Sequence, residues 1–190
     1  MTSQQAIQKL MDGNALFLQE VPCEPQSLQK VAELARNGQH PFAAILTCAD
    51  SRVSPEIIFH CGLGDLFVIR TAGQVLDSAV VGSIEYAADH LGVPLIVVLG
   101  HSKCGAVAGA CESHHHVEGA LDALLDAIRP CVRKASQCTS DPAEIARLAE
   151  DLDISQAVEA LQNDPVLKKL PSLKIIGAKY HIETGKVVFH

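Results

Sequence analysis

Two short segments of the chain combine cysteine, histidine, aspartate and arginine at spacings that suit a metal centre. They are Cys48-Ala-Asp-Ser-Arg52 and His101-Ser-Lys-Cys104. Two thiolates and one imidazole form a good ligand set for Zn²⁺, and three protein ligands leave one tetrahedral position for water, as a catalytic zinc requires. The two segments therefore predict one zinc ion per chain, held by Cys48, His101 and Cys104.

The strength of this prediction comes from the two segments taken together. A lone His-x-x-Cys pair is a weak signal, because free cysteines are often simply buried and a histidine can cap a helix. That alternative explains either cysteine alone, but it does not explain why His101, Asp50 and Arg52 accompany them. A redox role for Cys48 and Cys104 is weaker still, since the two lack Cys-x-x-Cys spacing.

Asp50 and Arg52 are two residues apart, close enough to pair across a turn. A carboxylate near the metal can accept a proton from metal-bound water, or bind the zinc directly when water is absent. Arg52 would orient that carboxylate and keep it ionised. The alternative is an exposed loop ion pair that contributes about 0–1 kcal/mol to stability. Because the pair lies beside Cys48, we predict a catalytic role for both residues, with Asp50 as a candidate fourth ligand.

The elements that must position these residues follow from the hydrophobic pattern. Continuous apolar runs at 42–47, 65–70 and 95–99 are typical of strands covered on both faces, as in parallel sheets. Helical patterns lie between them, one starting at Ser54-Pro55 and one covering about 77–90. Strands that alternate with helices predict an α/β fold, with a central, mostly parallel sheet flanked by helices. Ligands bind beyond the carboxyl ends of such strands, where the first and third runs lead into the two motifs.

The two ends of the chain carry further elements. Helical periodicity predicts an N-terminal helical arm over residues 1–38, which has no partner inside an ordinary βαβ unit and is expected to pack on another subunit. Later helical patterns cover about 121–135 and 143–161. Two apolar runs joined by Glu183-Thr-Gly-Lys186 predict a C-terminal hairpin and edge strand. No repeat or linker divides the sequence, so residues 1–190 are predicted to form a single domain.

The composition limits the partners of the chain. Of its 190 residues, 48% are hydrophobic and 19% are charged, near the average for soluble globular proteins. A net charge of −7 without any basic run argues against nucleic acid. No apolar run is long enough to span a membrane and no signal peptide is apparent, which predicts a cytoplasmic protein. The seven cysteines show no disulfide framework, so free thiols or metal binding are expected.

The two motifs also carry a family resemblance. Cys48-Ala-Asp-Ser-Arg52 together with His101-Ser-Lys-Cys104 resembles the zinc motif pair of β-class carbonic anhydrases. Flanking segments are similar to that family as well, namely 64–73, 82–87, 91–101 and 176–185. The resemblance therefore extends over nearly the whole chain.

The resemblance implies a site and a reaction. Zinc would be bound by Cys48, His101 and Cys104, and Asp50 would either take the fourth position in a closed form or pair with Arg52 in an open one. The reaction would be reversible hydration of carbon dioxide to bicarbonate and a proton by zinc-bound hydroxide, because zinc lowers the pKa of bound water to about 7. A homodimer built by arm exchange, or a homotetramer formed by doubling it, is also implied.

Three features differ from the family pattern. His60 stands where an acidic residue is more usual, and Gln74 where asparagine is usual. Neither supplies a zinc ligand, so altered pocket polarity, subunit contacts or proton relay are the expected effects. Some members carry a non-catalytic bicarbonate site of Trp, Arg and Tyr, but this chain has no Trp, and only Arg70 and Tyr180 fall near the other positions. The open form is therefore expected at neutral pH.

Alternative functions stay open at this point. The same zinc hydroxide would also attack carbonyl sulfide or carbon disulfide, since all three substrates are small linear electrophiles. A catalytically silent binding or scaffold protein would lack a ligand or the Asp–Arg pair, and neither is missing. The run His114-His-His116 invites a second metal site. Because consecutive histidines cannot all point one way, a solvated loop is predicted there instead.

Overall fold

The computed structural model describes residues 1–23, 27–112 and 118–190. Its strands are β1 (Ala43–Cys48), β2 (Leu66–Thr71), β3 (Leu95–His101), β4 (Lys174–His181) and β5 (Lys186–Phe189). They form one sheet in the order β2-β1-β3-β4-β5. The first four strands of that sheet run parallel, and β5 pairs antiparallel with β4 at the edge. The α/β class, the mostly parallel sheet and the C-terminal edge strand are thus confirmed.

Helices occupy both faces of the sheet. They are α1 (Ser3–Leu18), α2 (Leu28–Asn37), α3 (Pro55–Ile58), α4 (Ser78–Glu85), α5 (Gly105–Glu112), α6 (Ala120–Ala135) and α7 (Pro142–Gln162). A π-helical turn, Tyr86–His90, continues α4, and short 3₁₀ turns cover Ala72–Gln74 and Leu167–Lys169. The sequence pattern from 77 to 90 predicts one regular helix, and the π turn at its end is visible only in the structure. Among the described residues, no helix combines the length and apolar character that crossing a membrane requires.

Local sequence signals explain where several helices begin. Thr2 caps α1 through a reciprocal capping box with Gln5. Proline occupies the first helical position of both α3 and α7, where its missing N–H costs nothing. Asp141, just before α7, accepts a hydrogen bond from the Ala143 N–H. The starting points of these three helices are therefore determined largely by interactions between residues close in sequence.

The central strands are buried on both faces, as their continuous apolar sequences predict. Every residue of β1 and of β3 is buried. One face packs against α1 and α3 through side chains such as Ile45, Leu10 and Phe59. The opposite face packs against α4 and α7 through side chains such as Val98 and Ile154. The two strands that end at the cysteine and histidine motifs are thus fully enclosed by close-packed side chains.

The two N-terminal helices differ in how they pack on their own chain. Helix α1 is fixed to the sheet by buried Asn14, whose amide donates to Ile58 O at 3.2 Å and Gly185 O at 2.9 Å and accepts from Val187 N at 2.9 Å. Helix α2 has no buried residue, and its Leu28 side chain is 88% exposed. Helix α2 therefore leaves the apolar side chains of Leu28 and Val31 largely uncovered.

Candidate metal centre

The sheet order brings the two cysteine motifs to one place. Cys48 is the last residue of β1 and His101 the last of β3, and these strands are parallel neighbours with Thr47 opposite Leu99. Their carboxyl ends meet at the same edge of the sheet, where parallel α/β sheets bind ligands. Cys104 lies in the short turn that leads from β3 into α5. The topology thus places all three side chains at one edge.

The side chains of Cys48, His101 and Cys104, called here the ligand cluster, converge on one buried point. Their potential ligand atoms all lie within 4.8 Å of one another, and each residue is at most 4% exposed. Two ligands on one zinc, each at about 2.0–2.3 Å, lie no more than about 4.6 Å apart, so the spread is close to what a single ion requires. Within the described part of the chain, no other group of three such side chains is within reach of one ion.

The imidazole of His101 is prepared to accept a cation. Its Nδ1 lies 2.9 Å from the Ser102 carbonyl oxygen, which fixes the proton on Nδ1 and leaves the Nε2 lone pair free. That Nε2 is buried and has no hydrogen-bond partner among the described residues. Because an unpaired buried nitrogen is costly, a metal ion at this point would satisfy it. The residues present therefore fit zinc.

The two cysteines have opposite pKa shifts. A hydrogen bond from the Cys104 thiol, together with the backbone N–H groups of Gly73 and Asp50 that donate to the Cys48 sulfur, holds the pKa of Cys48 well below its usual range despite burial. The neighbouring Cys48 sulfur and burial raise the pKa of Cys104. One proton is thus shared between the two sulfurs, and a divalent cation would displace it to give two thiolates.

Arg52 holds the Asp50 carboxylate from three directions. Its backbone N–H and its Nε each donate to Oδ1 at 2.9 Å, and its Nη2 donates to Oδ2 at 2.7 Å. Oδ2 lies 4.0 Å from His101 Nε2, so the carboxylate borders the ligand cluster without belonging to it. The Arg52 guanidinium lowers the pKa of Asp50 far below its ordinary value. The pair has the arrangement expected of an open form.

A second arginine supports the same loop. Arg70, at the end of β2, donates from Nε to Cys48 O at 3.2 Å and from Nη2 to Asp50 O at 2.7 Å. Arg52 Nη2 also reaches Lys103 O at 3.3 Å and so connects the two motifs. The sequence indicated Arg70 only as part of a regulatory site. In the structure it clamps the backbone that carries Cys48 and Asp50.

Two acidic residues of α7 lie beneath the site, and sequence reasoning missed both. Glu150 Oε1 accepts a hydrogen bond from Cys104 N at 3.3 Å, and its Oε2 pairs with Lys179 Nζ at 2.8 Å. Asp153 Oδ2 accepts from Gln74 Nε2 at 2.5 Å. Both acids are buried with Ala149, Ile154 and other apolar residues on one helix face. Carboxylates on the apolar face of an amphipathic helix were the signal that could have found them.

Other candidate residues do not join the site. His60 follows α3, and its Nε2 lies 3.1 Å from Pro22 O; among the described residues it is not part of any group of three potential metal ligands. Tyr180 is buried in the core on the α1 side of the sheet. The residues His114–His116 fall outside the described residues, so the prediction of a loop there stays a prediction.

Comparison with known proteins gives one family. A model of the family described as carbonic anhydrase matches residues 43–187. The chain is 42% identical over 188 residues to carbonic anhydrase 2 of Mycobacterium tuberculosis and 39% identical over 187 residues to a carbonic anhydrase of Mycolicibacterium smegmatis. Each alignment covers 94% of this chain and 88% of the relative.

Solved structures agree with the sequence relatives. A β-carbonic anhydrase of Sordaria macrospora, described as tetrameric, superposes with a TM-score of 0.76 at 27% identity, covering 98% of this chain and 96% of its own. The β-carbonic anhydrase CafA of Aspergillus fumigatus superposes with a TM-score of 0.75 at 29% identity, covering 98% and 89%.

Proposed function

Because the chain belongs to the carbonic anhydrase family, whose members hydrate carbon dioxide, we propose that it catalyses this reaction with one zinc ion held by the ligand cluster. The observation that carries the proposal is the buried convergence of Cys48, His101 and Cys104, in which His101 Nε2 has no hydrogen-bond partner in the described part of the chain. When bound, zinc would supply a Lewis acid that lowers the pKa of a water molecule in its fourth position. The remaining chemistry belongs to the side chains around it.

Asp50 is proposed to orient the reacting water rather than to remove its proton. Its pKa is held so low by Arg52 that the carboxylate stays ionised throughout the neutral range. Such a weak base accepts a hydrogen bond at Oδ2 but does not keep a proton. Since Oδ2 lies 4.0 Å from His101 Nε2, it borders the metal position and directs the water lone pair toward carbon dioxide.

The hydrogen bonds of Asp50 also affect whether it can act as a metal ligand. For the closed form, in which Asp50 takes the fourth metal position, the carboxylate would have to give up its two side-chain hydrogen bonds to Arg52. Bidentate pairs of this kind are among the stronger hydrogen bonds in proteins. We therefore propose the open form as the working state and keep Asp50 as a ligand for the closed form.

An oligomer of this chain is part of the proposal. Helix α2 places Leu28 and Val31 in solvent, 88% and 48% exposed, and buries none of its own residues. A second copy of the chain would cover that face, and the Sordaria macrospora relative is described as tetrameric. We propose a homodimer or homotetramer, in which residues 1–190 act as one domain and α2 reaches the neighbouring subunit. A cytoplasmic location stays a prediction from the sequence.

The test is stopped-flow hydration of carbon dioxide with zinc analysis of the same samples, on wild type and Cys104→Ser. We expect one zinc per wild-type chain and rapid hydration, and a large loss of both in the variant, because a hydroxyl is a poor replacement for a thiolate ligand. Carbonyl sulfide and carbon disulfide, tested in parallel, decide whether the site also accepts them. Full hydration activity in Cys104→Ser, or wild-type protein without zinc or hydration, would overturn the proposal.

A further inference from the structure

The turn that follows β2 has an unusual backbone. Residues Ala72–Gln74 form a single 3₁₀ turn, in which Gly73 has φ 66° and Gln74 has φ 46°. Glycine adopts this left-handed region freely, but glutamine does so rarely, because its Cβ crowds the backbone. Strain of this kind persists only where the surrounding structure enforces it, and it concentrates at functional sites.

The strained turn directs one backbone N–H group toward the ligand cluster. Gly73 N donates to Cys48 Sγ at 3.3 Å in the core of the molecule. Backbone N–H groups that donate to a sulfur stabilise its thiolate form and fix its direction. The conformation at Gly73 and Gln74 therefore determines where this donor points.

The side chain of Gln74 is held by a residue of helix α7. It is 2% exposed, and its Nε2 donates to Asp153 Oδ2 at 2.5 Å, while Asp153 itself is 5% exposed. Ile154 and Gln74 pack against Gly100, where any Cβ would lie 2.5 Å from Ile154 and 3.5 Å from Gln74 Nε2. The close approach of Gly100 on one side and the hydrogen bond to Asp153 on the other both limit the movement of the amide. The hydrogen bond thus holds the turn in a fixed position.

A buried carboxylate at this position has a cost that packing alone does not explain. Burial raises the pKa of Asp153 to about 7, and the hydrogen bond from Gln74 opposes that shift only in part. An apolar residue would fill the same space without this penalty. One turn earlier on the same helix, Glu150 accepts from Cys104 N, so α7 directs one carboxylate to the Cys104 loop and another to the turn whose Gly73 N–H contacts Cys48.

We propose that Asp153 and Gln74 are positioning residues that lock the left-handed turn and so fix the Gly73 N–H on the sulfur of Cys48. This inference rests on the proposed function, since it assumes that Cys48 is a zinc ligand. Neither residue belongs to the ligand cluster. Their effect is on the affinity and geometry of the metal centre, transmitted through one backbone donor.

The test compares zinc affinity among variants that separate the hydrogen bond from packing. Asp153→Leu removes the acceptor, and Asp153→Asn keeps an acceptor oxygen for Gln74 without the charge. Gln74→Gly removes the amide but suits the left-handed backbone, so folding is preserved even if Asp153→Leu does not fold. The matched control is Gln156→Leu, which breaks the hydrogen bonds of another α7 side chain, to Ala127 O at 3.2 Å and from Cys131 Sγ at 3.5 Å, without touching Gln74 or Asp153.

Zinc affinity is measured by competition with a chromophoric chelator, and thermal unfolding of the zinc-free proteins is measured beside it. We expect Asp153→Leu and Gln74→Gly to bind zinc about 10- to 100-fold more weakly than wild type. Asp153→Asn should stay within a few-fold of wild type, and Gln156→Leu should lower stability without changing affinity. Wild-type affinity in Gln74→Gly, or an equal loss in Gln156→Leu, would overturn the inference.

Failure of the proposed function gives a different result. If wild type does not bind zinc, or if Cys104→Ser binds it equally well, the premise of the metal centre is wrong. If wild type binds zinc through Cys104 and Gln74→Gly binds it just as tightly, only the positioning role of the Gln74–Asp153 pair is wrong.

Discussion

The guanidinium of Arg52 and the carboxylate of Asp50 form two parallel hydrogen bonds, Nε to Oδ1 at 2.9 Å and Nη2 to Oδ2 at 2.7 Å. This pairing leaves the carboxylate beside the ligand cluster instead of in it. Under the proposed function, Arg52 therefore decides whether the carboxylate orients water or displaces it from the metal. The first prediction tests that relationship.

Replacing Arg52 by lysine should lower the hydration rate by about 10- to 100-fold while leaving the zinc content unchanged. Lysine keeps the positive charge but cannot form two parallel hydrogen bonds, so Asp50 is free to occupy the fourth metal position. Stopped-flow hydration with metal analysis measures both quantities. The control is Arg147→Lys, which alters a similar bidentate pair with Glu144 on the surface. An undiminished rate, or loss of zinc, in Arg52→Lys would contradict this role.

Removing zinc with a chelator under reducing conditions should lower the midpoint of thermal unfolding, and added Zn²⁺ should restore it. Free zinc at 1,000 times its dissociation constant stabilises the folded state by about 4 kcal/mol. For a chain of this size, that corresponds to a shift of roughly 8–16 °C. Scanning calorimetry of wild type and Cys104→Ser measures the difference. The variant should show little dependence on zinc, and equal midpoints for zinc-loaded and zinc-free wild type would count against the metal centre.

The buried Asp153 carboxyl predicts a pH-dependent stability. Burial raises its pKa to about 7, above the value of about 3.9 in an unfolded chain. The folded protein therefore keeps a proton that the unfolded chain releases, and stability falls as pH rises from about 4 to 7. Asp153→Asn removes this dependence. Its midpoint of thermal unfolding should therefore rise relative to that of wild type as the pH increases from 5 to 8.

Thermal unfolding of the zinc-loaded proteins across this pH range checks that prediction. Asp89→Asn changes an exposed carboxylate, half of whose side-chain surface is accessible, and serves as the control. A difference between Asp153→Asn and wild type that stays constant from pH 5 to 8 would show that the Asp153 carboxyl titrates outside the range inferred from its burial.

The exposed face of α2 predicts the assembly. Leu28→Glu combined with Val31→Glu should dissociate the oligomer toward a 20.2 kDa monomer, because burying two carboxylates at an apolar contact is costly. Size-exclusion chromatography with light scattering measures the mass. The control is Lys30→Glu, a change of charge on the same helix at a residue paired with Glu33. Wild type that is already monomeric at micromolar concentration would refute the assembly.

The sequence led directly to the α/β class and the members of the ligand cluster. Each rests on short-range information: continuous apolar runs for buried strands, proline and cap residues for helix starts, and close motif spacing for the ligands. The prediction that Cys48 and His101 meet required one further assumption, that their strands are neighbours in a parallel sheet. The observed pairing of β1 with β3 meets it.

Only the tertiary structure revealed what surrounds the ligand cluster. Gln74 and Asp153 are 79 residues apart, and Cys104 and Glu150 are 46 apart, so no local pattern connects them. Their contacts depend on where α7 crosses the sheet, which is decided by the packing of side chains such as Ile154. The sequence by itself therefore determined which residues are the candidate metal ligands. The fold decided how Arg70 and Lys103 O support the Asp50–Arg52 loop and how α7 holds the Cys104 loop and the Ala72–Gln74 turn, because those hydrogen bonds exist only once distant segments are packed together.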